Sequence, residues 1–143
     1  MIDIHSHLVP GVDDGSQSIE ESLRLLKQAE IEGITEIITT PHYMKNGDFR
    51  TKAAELVQRF NALKETYQGT IKLHLGNELY IHPDLPELLE QGEILTLAES
   101  NYILVEFPFH EYKEDYDEIL YELSLKYQII IAHPERYSYV QDD

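Results

Sequence analysis

Residues 102–107 read Tyr-Ile-Leu-Val-Glu-Phe, a run that is apolar apart from one carboxylate and one phenol. A strand wetted on one face alternates apolar and polar residues. A run without that alternation is expected where both faces are covered, as in a parallel sheet flanked by helices. Downstream, residues 115–127 set Ile119, Leu120, Leu123 and Tyr127 at helical spacing, and Gln128 to Ala132 is a second apolar stretch. Strand, helix and strand in that order make the crossover unit of a parallel α/β sheet.

Working back toward the amino terminus, the same alternation repeats. Asp84 to Gln91 predicts a short helix closed by Gly92, and Thr70 to Leu75 a strand. A helix from Thr51 carries Leu56, Phe60, Leu63 and Tyr67, and Ile34 to Thr40 is a β-branched strand ended by Pro41. Ser18-Ile19-Glu20-Glu21 is a capping box, followed at helical spacing by Leu23 and Leu26 and stopped by Gly33. Ile2 to Ile4 predicts a first short strand. The expected class is therefore α/β with five parallel strands, doubly wound or barrel. With no repeat or linker, a single domain is expected over residues 1–143.

Composition narrows the chemistry. The 42% hydrophobic content argues against disorder. Eleven basic against 27 acidic side chains give a net charge of −16, a surface that repels nucleic acid and anionic membranes. Cysteine is absent, which removes disulfides, thiolate metal sites and a phosphocysteine intermediate. The start, Met1-Ile2-Asp3-Ile4-His5, has neither the basic nor the apolar region of a signal peptide, and no apolar run is long enough to insert in a membrane. A cytoplasmic location is the expectation.

Every expected strand delivers an imidazole or a carboxylate at its carboxyl end: His5 and His7, His42, Glu78, Glu106 and His133. In parallel sheets and barrels those ends share one face, where sites are built. His5-Ser6-His7 alternates so that both imidazoles can reach one metal. Taken singly, such a pair is common, and Asp13-Asp14-Gly15 reads as a plain turn. Glu106 would be costly to bury without a cation or a basic partner. Together His5, His7, Asp14, His42, Glu78, Glu106 and His133 form a candidate ligand set too large for one coordination sphere. Nitrogen and oxygen donors without sulfur suit Mn, Fe, Zn or Mg. Clustered cations lower the pKa of a bridging water and stabilise an oxyanion, the logic of phosphate-ester hydrolysis. Arg136 is the candidate fork for a phosphate, with an ion pair to a carboxylate such as Glu135 as its ordinary alternative. His74 is expected to face away from the site, and His82 and His110 to be loop histidines.

Met1-Ile2-Asp3-Ile4-His5-Ser6-His7, Asp13-Asp14-Gly15, Thr40-Pro41-His42, Glu78-Leu79-Tyr80, Val105-Glu106-Phe107-Pro108 and Ala132-His133-Pro134-Glu135-Arg136-Tyr137 resemble signatures of the PHP (polymerase and histidinol phosphatase) superfamily. Within it they are most similar to the capsular-polysaccharide protein-tyrosine phosphatases of Gram-positive bacteria. The resemblance covers the whole chain. It implies a distorted seven-stranded β/α barrel with a three-metal site at the strand ends. His5, His7 and Glu78 would bind one metal. Glu78 would bridge to a second, held with Glu106 and His133, while Asp14 and His42 would serve the third. Manganese is the implied ion, with Fe, Co, Mg or Zn as alternatives, and Arg136 would hold the phosphate.

The implied substrate is the phosphotyrosine tail of a bacterial tyrosine autokinase that regulates capsular or exopolysaccharide synthesis, hydrolysed directly with no covalent phosphoenzyme. Another PHP phosphoesterase, acting on a small phosphate such as histidinol phosphate, and a catalytically silent metal-binding fragment are the rival expectations. In the family a C-terminal portion follows, with two more strands and an Asp-x-His motif that adds metal ligands. The chain is accordingly expected to be the N-terminal part of a PHP domain, truncated to about five strands. Weaker metal binding, low activity and self-association through open barrel edges are expected to follow.

Overall fold

The computed structural model describes residues 1–141. Its strands are β1 (Ile2–Asp3), β2 (Glu36–Thr39), β3 (His42–Tyr43), β4 (Lys72–Leu75), β5 (Glu78–Tyr80), β6 (Tyr102–Glu106) and β7 (Gln128–Ile131). Its helices are α1 (Ile19–Ile31), α2 (Ala53–Thr66), α3 (Leu85–Glu90), α4 (Asp115–Ser124) and α5 (Ser138–Gln141). Every strand pairing is parallel, in two sheets ordered β1-β2-β4 and β3-β5-β6-β7.

The five expected strands are thus seven. Just past the expected ends of two of them, at Thr40 and Leu75, the chain breaks and continues as a short further strand, β3 or β5, in the other sheet. Pro41 lacks an N–H and cannot continue a ladder as donor. Around it the ladder is replaced by specific bonds. The Gly76 N–H donates to the Thr39 carbonyl at 2.9 Å, and the Glu78 N–H to the Pro41 carbonyl at 3.0 Å. The buried Asn77 amide donates to the same Pro41 oxygen at 3.0 Å and accepts from the Leu95 N–H at 2.8 Å. Gly76 is required there, because a Cβ would come within 2.9 Å of Leu97 Cδ2 and 3.1 Å of its Cα. Taking each broken strand as one, neighbours in the sheets are also neighbours in sequence, with no reversal of order. Among the described residues the sheets do not close into a barrel.

Two large apolar clusters hold the layers, and a small third one, Leu97, Leu104 and Ala132, lies between the sheets. Of the large ones, one packs Leu26, Leu56, Phe60 and Leu63 of α1 and α2 on Ile37 and Leu73. The other packs Leu88, Tyr116, Ile119 and Leu123 of α3 and α4 on Leu79, Ile103 and Val105. Ile103, Leu104 and Val105 are all buried, as the unbroken apolar run requires. The cap of α1 also follows the sequence. Ser18 Oγ accepts from the Glu21 N–H at 3.1 Å, and Glu21 Oε2 accepts from the Gln17 N–H at 3.1 Å. Helix α4 stops at Ser124 rather than Tyr127, because Leu125 to Tyr127 form the turn into β7. No helix among the described residues is long and apolar enough to cross a membrane.

Candidate metal centre

The parallel strands bring their carboxyl ends to one side, and Glu78, the first residue of β5, stands at the centre. It is 1% exposed. His5 Nε2 lies 2.8 Å from its Oε2, His133 Nε2 3.1 Å from the same oxygen, His42 Nδ1 2.8 Å from Oε1, and His7 Nε2 3.5 Å from Oε1. His5 and His7 converge because Ser6 between them is drawn to β2, where its hydroxyl donates to the Ile38 carbonyl at 3.1 Å. Glu106, at the end of β6, is 3.2 Å from His133 Nε2 and 3.3 Å from His42 Nδ1. Asp14 sits at the exposed rim, 3.5 Å from His42 Nε2. His133 takes a left-handed conformation (φ 32°), which is uncommon outside glycine and turns the chain at the end of β7.

All seven expected ligands line one cavity of about 760 Å³, and Arg136 lines it with them. Three groups have ligand atoms within 4.8 Å of one another: His5, His7 and Glu78; His7, Asp14 and His42; His42, Glu78 and Glu106. His42 therefore belongs to two groups, Nδ1 facing Glu78 and Glu106 while Nε2 faces Asp14. His74 lies apart, 3.4 Å from Glu36, and His82 Nδ1 accepts from the Asp84 N–H at 3.0 Å. His110 is exposed.

Charge is concentrated without being satisfied. Burial works to raise Glu78, but His42 and His5 beside it hold the carboxyl well below the ordinary range. Burial works to lower His42, while Glu106 and Glu78 push it up to about 10. His133 Nε2 and Glu78 Oε2 form a hydrogen bond, but His42 Nδ1, Glu78 Oε1, Glu106 Oε1 and His133 Nδ1 are buried without a hydrogen-bond partner. Buried polar atoms are normally paired. Divalent cations would satisfy the converging nitrogen and oxygen atoms, so the donor set fits a metal group.

Sequence reasoning missed Asp13. Its carboxylate accepts from the Gly15 N–H (2.9 Å) and the His42 N–H (3.0 Å) and meets His7 Nδ1 at 2.9 Å. Burial would raise its pKa, but these bonds lower it. Only its place beside Asp14 could have signalled the role.

Parallel strands whose carboxyl ends gather imidazoles and carboxylates around one buried glutamate define an α/β protein with a cluster of groups that could hold metal ions. The family model described as "Capsular polysaccharide synthesis, CpsB/CapC" matches residues 1–143, and the chain belongs to that family. The tyrosine-protein phosphatase YwqE of Bacillus subtilis (strain 168) is 36% identical over 140 residues, covering 95% of this chain and 55% of YwqE. The tyrosine-protein phosphatase CpsB of Streptococcus pneumoniae is 37% identical over 147 residues, covering 100% and 60%. A chain from the crystal structures of YwqE and CpsB, described as unique metal-dependent tyrosine phosphatases, superposes with a TM-score of 0.86 at 34% identity, covering 100% of this chain and 59% of that one. The chain thus spans between half and two thirds of these relatives' length.

Proposed function

We propose that the chain carries the metal centre of a phosphatase that hydrolyses phosphotyrosine on a bacterial tyrosine autokinase regulating capsular or exopolysaccharide synthesis. The observation that carries this reading is the convergence of four imidazoles on buried Glu78, with donor atoms left unpaired around it. The names of the relatives supply the substrate class. The two sheets are read as an arc of the distorted seven-stranded PHP barrel, supported by their sequential, all-parallel order.

In this reading His5, His7, Asp14, His42, Glu78, Glu106 and His133 hold two or three divalent ions, manganese first among them, with Glu78 shared between two. Such ions would supply an activated water and neutralise phosphoryl charge. Arg136, on the cavity wall, would fork onto the phosphoryl oxygens and orient the ester. The leaving tyrosinate has an ordinary pKa of about 10, so its departure asks less of a general acid than an alkoxide would. None of these 143 residues is a cysteine, so no residue of this chain would pass the phosphoryl group through a thiol. The protein would act in the cytoplasm, on the kinase's phosphorylated tail.

The test combines metal content with turnover. A chelator should abolish hydrolysis of a phosphotyrosyl peptide, Mn²⁺ should restore it, and a thiol alkylator should leave it intact. Arg136→Ala should cut turnover by about tenfold or more while retaining the metals. Loss of metals in that variant would make the arginine structural. Preference for histidinol phosphate over the peptide would overturn the substrate assignment.

A further inference from the structure

Beside the metal cavity lies a second hollow of about 640 Å³, and the two share Met44, Tyr80 and Pro108 as walls. Its size falls in the range of about 300–1,000 Å³ that small-ligand sites occupy. Three loops at the carboxyl ends of β3, β5 and β6 build it. The first two are tied together: Asn46 Nδ2 lies 3.3 Å from His82 Nε2, and Lys45 Nζ 3.8 Å from Asp84 Oδ2. A turn closed by the Gly47 N–H on the Met44 carbonyl at 3.0 Å fixes the rim. These contacts hold two of its three walls together.

Its lining says what it would take. Ile81, Tyr116 and Ile119 are buried residues of the apolar core that border it. The lining cations Lys45 and Lys113 are outnumbered by Glu111, Asp115 and, beside Lys45, Asp84, so the hollow holds no net positive charge to attract an anion. An apolar side chain gains from such a floor; a phosphate does not. A small phosphate ester held by the metal cavity would make no use of it. An extended peptide would, because residues i and i+2 project from the same side, about 6.6 Å apart.

Resting on the reading of the first cavity as a phosphotyrosine site, we propose that the second hollow is a peptide subsite. It takes an aliphatic or aromatic side chain two residues from the phosphotyrosine. The protein then reads local sequence as well as the phosphoryl group.

The probes are peptides bearing a non-hydrolysable phosphonate in place of phosphotyrosine. They carry alanine at the flanking positions, or leucine two residues before or two residues after. Binding is read by calorimetry and by methyl NMR of the two methionines, Met44 as reporter and Met1 as reference. Leucine at one of the two positions should tighten binding about tenfold, equivalent to about 1.4 kcal/mol. The Met44 signal should move further with that leucine peptide than with the alanine peptide, because Met44 borders both hollows, and the Met1 signal should not move. Asn46→Trp, which fills the exposed rim, should make the leucine and alanine peptides bind alike. Equal affinities in the parent protein, or a leucine gain that survives Asn46→Trp, would overturn the subsite alone. Phosphonate peptides that bind no better than their tyrosine counterparts would overturn the phosphotyrosine reading and the subsite with it.

Discussion

Asp13 illustrates how a residue can govern the site without facing the cavity. Its lowered pKa keeps the carboxylate ionised, so it draws the proton of His7 onto Nδ1 and leaves Nε2 directed at Glu78. Its bond to the His42 N–H fixes the start of β3 as well. Partners of this kind are worth about 10–100-fold in metal affinity. Asp13→Asn should therefore weaken Mn²⁺ binding by about that factor with the fold retained, measured by competition against a fluorescent chelator. Unchanged affinity would reduce Asp13 to a turn former. Six of the seven candidate ligands stood out in the sequence because each sits at or just beyond a strand end, where a carboxylate or imidazole is out of place in an ordinary turn; Asp14 stood out only through the resemblance. Asp13 did not, since Asp-Asp-Gly reads equally well as a turn.

Among the elements, β3 and β5 escaped the sequence reading because two- and three-residue strands carry too little pattern to register. The residues after β7 gave no pattern either. They form a single turn at Pro134–Arg136 and then α5, anchored by Tyr137. That ring is 1% exposed, and its oxygen accepts from the Phe107 N–H at 3.1 Å, next to Glu106. Burial pushes the phenol up to about 12, against the pull of that N–H. Because the folded chain holds the proton more tightly than the unfolded chain, whose value is 10.0, the contribution is complete below pH 10.0 and is lost as pH rises through about 12. Thermal scans should show the parent losing stability more steeply over that window than Tyr137→Phe. The variant should start lower at neutral pH by about 1–3 kcal/mol, having orphaned the Phe107 N–H. Parallel pH profiles would remove Tyr137 from the alkaline transition.

For the molecule as a whole, the outer strands matter. β1 pairs only with β2 and β7 only with β6 among the described residues. Met1, Ile2 and Ile4 are exposed along the first edge, and Ile131 is 38% exposed on the second. Unprotected edges bearing apolar side chains invite pairing with another chain. Sedimentation velocity should show concentration-dependent association of the 143-residue chain. Ile131→Lys should shift it toward monomer; a parent monomeric at all concentrations would sink the idea. The strand breaks at Pro41 and Gly76 carry a further consequence. They divide the ligands between two sheets, with His5 and His7 following β1 of one and Glu78, Glu106 and His133 belonging to or following strands of the other. Ions bound among them would act as rivets across a seam, so that the site would double as a mechanical joint, and emptying it would loosen one of the ties between the two plates.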